Sequence, residues 1–466
     1  MQNTEQDLME KVVSLCKRRG FVFAGSEIYG GLANTWDLGP LGVELKNNIQ
    51  QAWWKFFVRS RKDIVGIDAA ILMNPKVWQA SGHVANFNDA QVDCKACKKR
   101  FRADHLIEDA LKDVKVEGLS PDDLSKLIKE NNIKCPSCGE NHFTDVRQFN
   151  LLFQTYIGPT SADNAPVYLR GEIAQGMFVN FKNVLSTTRK KIPFGIAAAG
   201  KAFRNEITPG NFIFRTLEFD LMEFEYFIKE DMWKEKFEYW LAEMHKWLEN
   251  VGIKKENTRV REHTRDELSH YSKKTVDIEY KTPFGWKELY GLAYRTNFDL
   301  SNHAKNSGED LNYFDELTGE KYIPHVIEPT FGLSRTLLMV LLDSYTEEEV
   351  KDAKGNTEIR IVLHLKPAVA PYKAAILPLM KKDDLVAKAD EVFNFLNKYF
   401  ALDYDVTGSI GKRYRRQDEI GTPYAITIDF DSLKDNTFTI RDRDTLKQDR
   451  VKFDELKPYL EEKIYG

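Results

Sequence analysis

Helical hydrophobic patterns dominate the first 60 residues of the chain. Glycine-containing breaks at 29–31 and 37–42 precede an amphipathic run over 43–58. Four aromatic residues crowd the end of that run: Trp53, Trp54, Phe56 and Phe57. Such crowding is typical of a hydrophobic core, and a subunit interface is the alternative interpretation. The pattern alone does not separate the two.

Strand patterns govern the middle of the chain. From 147 to 227 short alternating runs are separated by turns, and a long amphipathic helix follows over 231–250, ending at Gly252. Strand patterns return over 275–299. This succession predicts an α+β body in which an antiparallel sheet is flanked by helices.

Two polar segments interrupt this body and suggest its divisions. The first, 94–145, contains two cysteine pairs and a helix pattern over 120–130 with Ser120 as its cap and Pro121 at its first position. The second, 346–358, is charged and contains a glycine, as expected of an interdomain linker.

A small mixed α/β domain is predicted after that linker. An apolar strand pattern at 359–365 and a helix pattern at 383–400 are followed by strand-like runs near Tyr404 and at 425–430. The predicted divisions are therefore a body of 1–93 and 146–345, an insertion of 94–145, a linker of 346–358 and a C-terminal domain of 359–466.

Composition and charge exclude several classes of protein. Hydrophobic residues make up 42% of the 466 positions, which excludes global disorder. The longest aliphatic run, 337–342, is far shorter than the roughly 18 residues of a membrane span. The polar N-terminus lacks a signal pattern, so a cytoplasmic location is expected. With 67 basic and 71 acidic residues, any RNA contact requires local patches.

The cysteines predict a metal site. Cys94 and Cys97 form one C-x-x-C pair and Cys135 and Cys138 form another, which is the spacing of two zinc knuckles that share one tetrahedral Zn²⁺. Four thiolates leave no open position, so this zinc would be structural. Coincidental or redox-active pairs are the alternative. The fifth cysteine, Cys16, is expected to be a small core residue.

A predicted hairpin holds the first candidate ligand-binding residues. Its strands run through 203–206 and 214–225 and are joined by a loop at 208–211. Two-residue periodicity places Arg204 and Glu206 on one face of the first strand, and Phe219, Glu223 and Glu225 on one face of the second. Four residues of strand span about 13 Å, which suits an elongated ligand such as an adenylate with an amino group at its far end. A half-buried hairpin with solvated charges is the alternative.

A second cluster follows at 328–335. Glu328 and Thr330 share a strand face, Gly332 permits close backbone approach, and Arg335 lies near the start of an apolar helix, where phosphates are favoured. Neither the P-loop nor the dinucleotide glycine motif occurs. The cluster predicts nucleotide binding by another route.

These residues carry a resemblance to the class II aminoacyl-tRNA synthetases. The sequence F-R-N-E at 203–206 resembles motif 2, G-L-S-R at 332–335 resembles motif 3, and Gly39 and Pro40 occupy the place of motif 1. Further stretches resemble the homodimeric glycyl-tRNA synthetase family over essentially the whole chain: W-D-L-G-P-L-G, A-S-G-H, F-R-A-D-H-L, L-R-G-E-I-A-Q-G, E-L-Y-G and E-P-T-F-G. The resemblance implies a zinc-bearing insertion and a C-terminal anticodon-binding domain.

The same resemblance implies glycine, ATP and tRNA(Gly) as substrates, and a homodimer. Arg204 would bridge the α-phosphate and the glycine carboxylate, Glu206 would accept from the adenine amino group, and Phe219 would stack on the base. Arg215 and Arg335 would hold the outer phosphates, and Glu288 would lie near the ATP-bound Mg²⁺. The remaining ATP-site residues that the resemblance implies are Asn205, Phe214, Leu289 and Gly332.

The implied glycine site is acidic. Glu172, Glu223 and Glu328 would surround the ammonium group, and the wall of the site would exclude side chains. The other implied contacts are Arg102, Phe219, Arg295 and Thr330. Thr330 departs from the serine often found in the family at its position, and its extra methyl group should tighten the pocket.

A basic run is the candidate contact to the anticodon side of the tRNA. Lys412, Arg413, Arg415 and Arg416 surround Tyr414, which combines phosphate-pairing cations with a ring that can stack on a base. A solvated basic turn is the alternative. Two other functions also stay open: a class II paralogue with another specificity or a regulatory role, and a non-catalytic zinc-knuckle RNA-binding protein.

Overall fold

A computed structural model describes residues 2–111, 114, 116, 118–158, 165–207, 210–351 and 355–466. Thr208 and Pro209 of the predicted hairpin loop, 352–354 of the predicted linker, and Met1, 112, 113, 115, 117 and 159–164 of the predicted body and insertion lie outside the described residues. The helices are α1 (Gln2–Arg19), α2 (Pro40–Trp54), α3 (Pro75–Ala80), α4 (His83–Asn86), α5 (Ala103–Ala110), α6 (Pro121–Glu130), α7 (Ala174–Val179), α8 (Phe181–Thr188), α9 (Trp233–Val251), α10 (Phe298–Ser307), α11 (Leu333–Ser344), α12 (Asp383–Leu396), α13 (Ile410–Ile420), α14 (Phe430–Asp435) and α15 (Leu456–Tyr465).

The strands are β1 (Val22–Ala24), β2 (Trp36–Leu38), β3 (Ile64–Gly66), β4 (Asn88–Asp93), β5 (Arg100–Arg102), β6 (Arg147–Asn150), β7 (Gln154–Ile157), β8 (Ala165–Tyr168), β9 (Phe194–Phe203), β10 (Glu218–Ile228), β11 (Thr258–Glu262), β12 (Lys274–Thr282), β13 (Gly285–Thr296), β14 (Tyr313–Phe314), β15 (Lys321–Tyr322), β16 (His325–Gly332), β17 (Tyr345–Lys351), β18 (Thr357–Leu363), β19 (Ala374–Pro378), β20 (Leu402–Tyr404), β21 (Tyr424–Ile428), β22 (Thr437–Asp442) and β23 (Gln448–Lys452).

A seven-stranded sheet forms the body, in the order β11, β12, β13, β16, β10, β9 and β3. Every neighbouring pair is antiparallel except β3 and β9, which are parallel. Glu223 of β10 lies opposite Thr330 of β16, and Ala293 of β13 lies opposite Glu328. The predicted antiparallel sheet is confirmed, and its register brings together the two clusters found in the sequence.

Helices cover both faces of this sheet because apolar side chains alternate along β10. Phe224 faces one layer, where it contacts Trp53, Phe57 and Trp240. Trp53 and Phe57 are fully buried in this core, which confirms the core interpretation for these two members of the aromatic run.

The other face of β10 meets α7 and α8. Leu221 and Phe227 belong to a second apolar cluster with Met177 and Phe178. Side chains two residues apart share a face of a strand. Glu223 and Glu225 therefore point into this layer, between Leu221 and Phe227.

The cysteine-bearing segment has a core of its own. Strands β5, β4 and β6 form a three-stranded sheet, and apolar residues of α5 and α6 pack with it. Ser120 caps α6 with a reciprocal hydrogen bond to Asp123, and Pro121 occupies the first turn, as predicted. The sheet includes 88–93 and 147–150, so it extends beyond the predicted segment 94–145 on both sides.

The C-terminal region is mixed α/β, as predicted. Its five strands lie in the order β20, β19, β21, β22 and β23, and β19 is parallel to both β20 and β21. Residues of α12 and α15 form a separate core with the sheet.

The polar segment predicted as a linker is largely a β-hairpin. Strands β17 and β18 pair from Tyr345 opposite Leu363 to Lys351 opposite Thr357. Charged residues of this segment pair with residues outside it: Arg360 Nη1 donates to Glu348 Oε2 at 2.7 Å directly across the hairpin, and Glu347 pairs with Lys11. The polar composition of the segment therefore did not indicate the pairing of β17 with β18.

None of the described helices combines the length and apolarity that crossing a membrane requires.

Candidate active site

A cavity of about 270 Å³ opens where β10, β12, β13 and β16 meet the start of α11. It brings together most of the residues that the sequence placed in the ATP and glycine sites: Glu172, Arg204, Glu206, Phe214, Arg215, Phe219, Glu223, Glu288, Leu289, Glu328, Thr330, Gly332 and Arg335. Asn205, Arg102 and Arg295 do not line it.

Acidic side chains gather at one end of the cavity. Glu223 and Glu328 project from the neighbouring strands β10 and β16 and are almost fully buried. The hydroxyl of Thr330 donates to Glu223 Oε1 at 3.0 Å. A buried carboxylate is costly without a cation or hydrogen-bond donors, so this end favours a cationic ligand.

Arg295 supports this end from behind. Its guanidinium is 1% exposed and donates to Glu328 Oε1 at 2.7 Å and to both carboxylate oxygens of Asp299 at 2.8 and 3.0 Å. Burial disfavours the charged form, but the neighbouring carboxylates outweigh burial and raise the pKa of Arg295. Arg295 therefore holds Glu328 in place instead of lining the cavity.

Glu172 has a different set of supports. Gln175 Nε2 donates to its Oε1 at 2.8 Å, and His83 Nε2 lies 3.3 Å from its Oε2. Burial opposes ionisation, but the charges of His83 and Arg295 prevail and lower the pKa of Glu172. The roles of His83 and Gln175 were not predicted from the sequence. Both residues nevertheless lie in stretches that resemble the family, A-S-G-H and L-R-G-E-I-A-Q-G.

Glu223 behaves oppositely to Glu172. Burial and then the negative charge of Glu328 raise the pKa of Glu223 well above that of an ordinary carboxyl. Burial also raises the pKa of Glu328, against the effect of Arg295. A positively charged ligand between these two carboxyls would favour their ionised forms.

Arginines and aromatic rings form the other end of the cavity. The Arg204 guanidinium carbon lies 5.3 Å from the centre of the Phe219 ring and 5.1 Å from that of Phe87, and its Nε donates to the Gly171 carbonyl oxygen at 3.0 Å. These contacts fix a cation beside a flat aromatic surface. Such a surface suits a nucleobase next to a phosphate.

Two further arginines at this end are paired with carboxylates. Arg215 Nε donates to Glu206 Oε2 at 2.8 Å. Arg335 Nη1 lies 3.2 Å from Glu288 Oε2, and its guanidinium carbon lies 4.7 Å from the centre of the Phe214 ring. These ion pairs place both cations and acceptors in the lining of the cavity.

The predicted strand position of Arg204 and Glu206 is wrong. Strand β9 ends at Phe203, because the regular ladder with β10 does not continue beyond Arg204. The N–H of Arg204 donates to Leu217, whereas that of Asn205 donates to the Leu151 carbonyl oxygen at 2.8 Å. Both side chains still reach the cavity, but from a loop.

Arg102 lies apart from the cavity lining. Its Nη1 donates to Asp89 Oδ2 at 3.0 Å, and its Nε donates to Asp104 Oδ1 at 3.1 Å. These ion pairs join β5 to β4 and to the start of α5. The described contacts of Arg102 are therefore structural.

The four paired cysteines converge as predicted. One Sγ atom from each of Cys94, Cys97, Cys135 and Cys138 lies within 4.8 Å of the others. The Cys94–Cys138 and Cys97–Cys135 sulfur separations are both 3.7 Å. A tetrahedron with Zn–S distances of about 2.3 Å has edges of about 3.8 Å, so the donor set fits zinc.

The basic run in the C-terminal region does not form one exposed patch. It lies on α13, where Arg413 is 1% exposed and donates to the carbonyl oxygens of Pro378, Leu379 and Asp405. Arg415 pairs with Glu358 and Arg416 with Asp405. The helical turn points Arg413 inward, so Arg413 as a tRNA contact is corrected to a buried structural residue.

Three known protein families match three separate parts of the chain. A tRNA synthetase class II core domain (G, H, P, S and T) matches residues 160–345. A glycyl-tRNA synthetase insertion domain matches 117–151, and an anticodon binding domain matches 373–463.

Curated relatives align over nearly the full length. The glycine–tRNA ligase of Clostridium perfringens is 56% identical over 461 residues, covering 98% of each chain. That of Geobacillus kaustophilus is 58% identical over 460 residues, covering 98% of this chain and 99% of the relative. That of Caldanaerobacter subterraneus is 57% identical over 462 residues, covering 98% of each.

Proposed function

The chain belongs to the glycine–tRNA ligase family, and we infer that it attaches glycine to tRNA(Gly) through a glycyl-adenylate intermediate. The acidic end and the arginine-rich end of a single cavity carry this inference, because an aminoacyl adenylate has an ammonium group at one end and a nucleotide at the other. A non-catalytic RNA-binding protein would leave both ends without a use. The paralogue alternative is not favoured at this identity and coverage.

Positioning and charge stabilisation account for the first step. A carboxylate oxygen of glycine attacks the α-phosphorus of ATP, the bond from that phosphorus to the bridging oxygen breaks, and pyrophosphate leaves with the electron pair. Arg204 contacts the α-phosphate and the attacking carboxylate, and neutralises charge on both. No protein base is needed, since the nucleophile is already ionised.

The nucleotide would be held along the arginine-rich end. Phe219 stacks on the adenine, Glu206 accepts from its amino group, and Arg215 and Arg335 take the outer phosphates. Arg215 would then leave its ion pair with Glu206 and bind phosphate, and Arg335 would likewise leave Glu288 and bind phosphate. The remaining contacts of this proposed site come from Asn205, Phe214, Leu289 and Gly332.

Magnesium would accompany ATP in this site. The carboxylate of Glu288 supplies the oxygen ligand that a hard cation prefers, and it becomes available when Arg335 turns to phosphate. Magnesium supplies neutralisation of the phosphate charge when bound. The protein residues meanwhile orient the triphosphate for in-line departure of pyrophosphate.

Glycine would be selected at the acidic end. Glu172, Glu223 and Glu328 surround the ammonium group, and Thr330 orients Glu223 by its hydrogen bond. Arg295 acts through Glu328 instead of touching the substrate. The second step then joins the activated carbonyl carbon to a hydroxyl oxygen of the terminal tRNA ribose, with release of a proton and AMP.

The anticodon side of the tRNA would be bound by the C-terminal domain. Of the predicted basic run, Lys412, Arg415 and Arg416 are retained as candidate contacts, because their side chains are not buried in the way that Arg413 is. Phosphate would have to compete with Glu358 for Arg415 and with Asp405 for Arg416. We keep the division at 346–358 as a proposal, with 359–466 as the anticodon-binding domain.

A structural zinc in the insertion and a homodimer complete the proposal. The sulfur separations support zinc, which would tie 94–97 to 135–138 and order the insertion. The dimer is supported by apolar side chains at a loop tip near the start of α2, where Ile28 is 89% and Tyr29 is 87% exposed. The cytoplasmic location stays a prediction from the sequence.

The test of this proposal is glycine-dependent ATP–pyrophosphate exchange by Glu223→Gln beside a matched control. Glu218→Gln changes a half-exposed glutamate on the same strand, outside the cavity, and should keep the wild-type rate. Loss of a charged ligand to the ammonium should lower kcat/KM for glycine at least about 100-fold in Glu223→Gln. Wild-type exchange in that variant, with the fold unchanged, would defeat the assignment.

A further inference from the structure

Glu225 is a buried carboxyl that the proposed reaction does not use. It lies two residues beyond Glu223 on β10, is 0% exposed and does not line the cavity. Neither of its carboxylate oxygens has a hydrogen-bond partner among the described residues. An ionised carboxylate in such a place would carry the full cost of desolvation.

The sheet register places Glu225 against another carboxyl. Glu223 lies opposite Thr330, and Tyr226 lies opposite Ile327, so counting along the two strands puts Glu225 across from Glu328. Carboxylate oxygens of Glu223, Glu225 and Glu328 lie within 4.8 Å of one another. Like charges directly across a strand pair repel, and burial strengthens the repulsion.

The available donors are already engaged by other groups. Arg295 donates hydrogen bonds to Glu328 and Asp299, and the Thr330 hydroxyl donates to Glu223. On the helix side, Gln175 donates to Glu172 and Asp299. No described side chain therefore donates a hydrogen bond to Glu225.

The charges around Glu225 come from four structural elements. They are Glu223 on its own strand, Glu328 on β16, Arg295 on β13 and Asp299 on α10. Three neighbouring carboxyls thus face one guanidinium before Glu225 is counted. Burial, followed by the charge of Glu328, raises the pKa of Glu225 well above its usual range.

We propose that Glu225 is a positioning residue that remains a neutral carboxylic acid and donates its one hydrogen bond to the facing carboxylate of Glu328. Its proton lowers the negative charge behind the pocket and fixes the orientation of Glu328 beside Glu223. A neutral donor at this position lets Glu223 and Glu328 bind one ammonium together with Glu172, without adding a further buried anion. The inference rests on the proposed role of Glu223 and Glu328 in binding the amino group of glycine.

Infrared spectroscopy tests the proton without any substrate. The difference spectrum between the full-length wild-type protein and Glu225→Gln at pH 7 should show loss of a protonated-carboxyl stretching band in the variant. Glu218→Gln, the exposed control on the same strand, should leave that band intact. A variant spectrum that instead loses only carboxylate bands would show that Glu225 is ionised and would overturn the proposal.

Kinetics separate a neutral donor from a charged ligand. Glu225→Gln keeps a neutral donor and should hold kcat and the KM for glycine within about threefold of wild type, whereas Glu225→Leu should raise that KM about tenfold or more and leave the KM for ATP unchanged. Glu225→Gln as defective as Glu223→Gln would contradict the proposal. If Glu225→Leu does not fold, the rescue by glutamine and the infrared band still decide it.

Different results would overturn the proposed function and the role of Glu225. Absence of glycine-dependent exchange in the wild-type protein would overturn the proposed function. Absence of the protonated band would overturn the inference about Glu225, even in an enzyme that activates glycine at the full rate.

Discussion

Replacing Arg413 by alanine should destabilise the C-terminal region while leaving the stability of the catalytic body unchanged. Arg413 donates to three backbone oxygens, at 2.5 Å from Pro378, 3.0 Å from Asp405 and 3.1 Å from Leu379. A buried acceptor left unpaired costs about 1–3 kcal/mol, so the loss of three partners, reduced by relaxation, should cost about 3–5 kcal/mol. The urea midpoint of this region should fall by about 1–2 M.

Two spectroscopic probes can separate the regions in one titration. All eight tryptophans precede residue 290, so their fluorescence reports the catalytic body alone, whereas far-ultraviolet circular dichroism reports the whole chain. Arg413→Ala should show an early transition by circular dichroism that fluorescence does not follow. Glycine-dependent exchange should persist through that transition, and tRNA charging should be lost with it.

Arg415→Ala is the matched control on the same helix. The Arg415 side chain is 32% exposed and pairs with Glu358, so its removal should cost less than about 1 kcal/mol. Unchanged stability of Arg413→Ala, combined with weaker tRNA charging, would refute the structural role and restore Arg413 as an RNA contact.

Three further outcomes follow from other parts of the molecule. Cys135→Ser should lose bound zinc and make the insertion sensitive to protease, measured by metal analysis and limited digestion; full zinc content would contradict the site. Thr330→Val removes the donor to Glu223 and should raise the KM for glycine about tenfold, whereas Thr330→Ser should not. The hydrogen bond that His364 donates to Asp444 raises the pKa of His364 above its ordinary 6.5. The stability advantage of wild type over His364→Gln should therefore be full below about pH 6.5 and should fall as the pH rises through the raised value, measured by urea midpoints; a constant advantage would exclude the ion pair.

The acidic pocket could be predicted because strand periodicity is local. Two-residue spacing alone places Glu223 with Glu225, and Glu328 with Thr330, on common faces. The sheet register then brings β10 beside β16, as the resemblance implied. The supports behind the pocket are different: His83, Gln175 and Asp299 come from separate helices, and their proximity depends on packing that no local pattern encodes.

The basic run shows the opposite case. The consecutive residues 412–416 suggest one exposed basic patch. On α13, however, residues 413 and 417 point inward while 412 remains exposed. The outward or inward direction depends on where α13 packs against β18 and β19. The same limit applies to the polar segment 346–358, most of which forms a hairpin that its composition does not reveal.

The most direct test of the central claim is amino-acid-dependent ATP–pyrophosphate exchange by the purified chain. Glycine, alanine, serine, threonine, proline and histidine are assayed in parallel at saturating ATP and Mg²⁺. Exchange is expected with glycine alone, because in the proposed site three carboxyls would bind its ammonium and the pocket wall would exclude a side chain. Exchange with another of these amino acids in place of glycine, or no exchange with any, would contradict it.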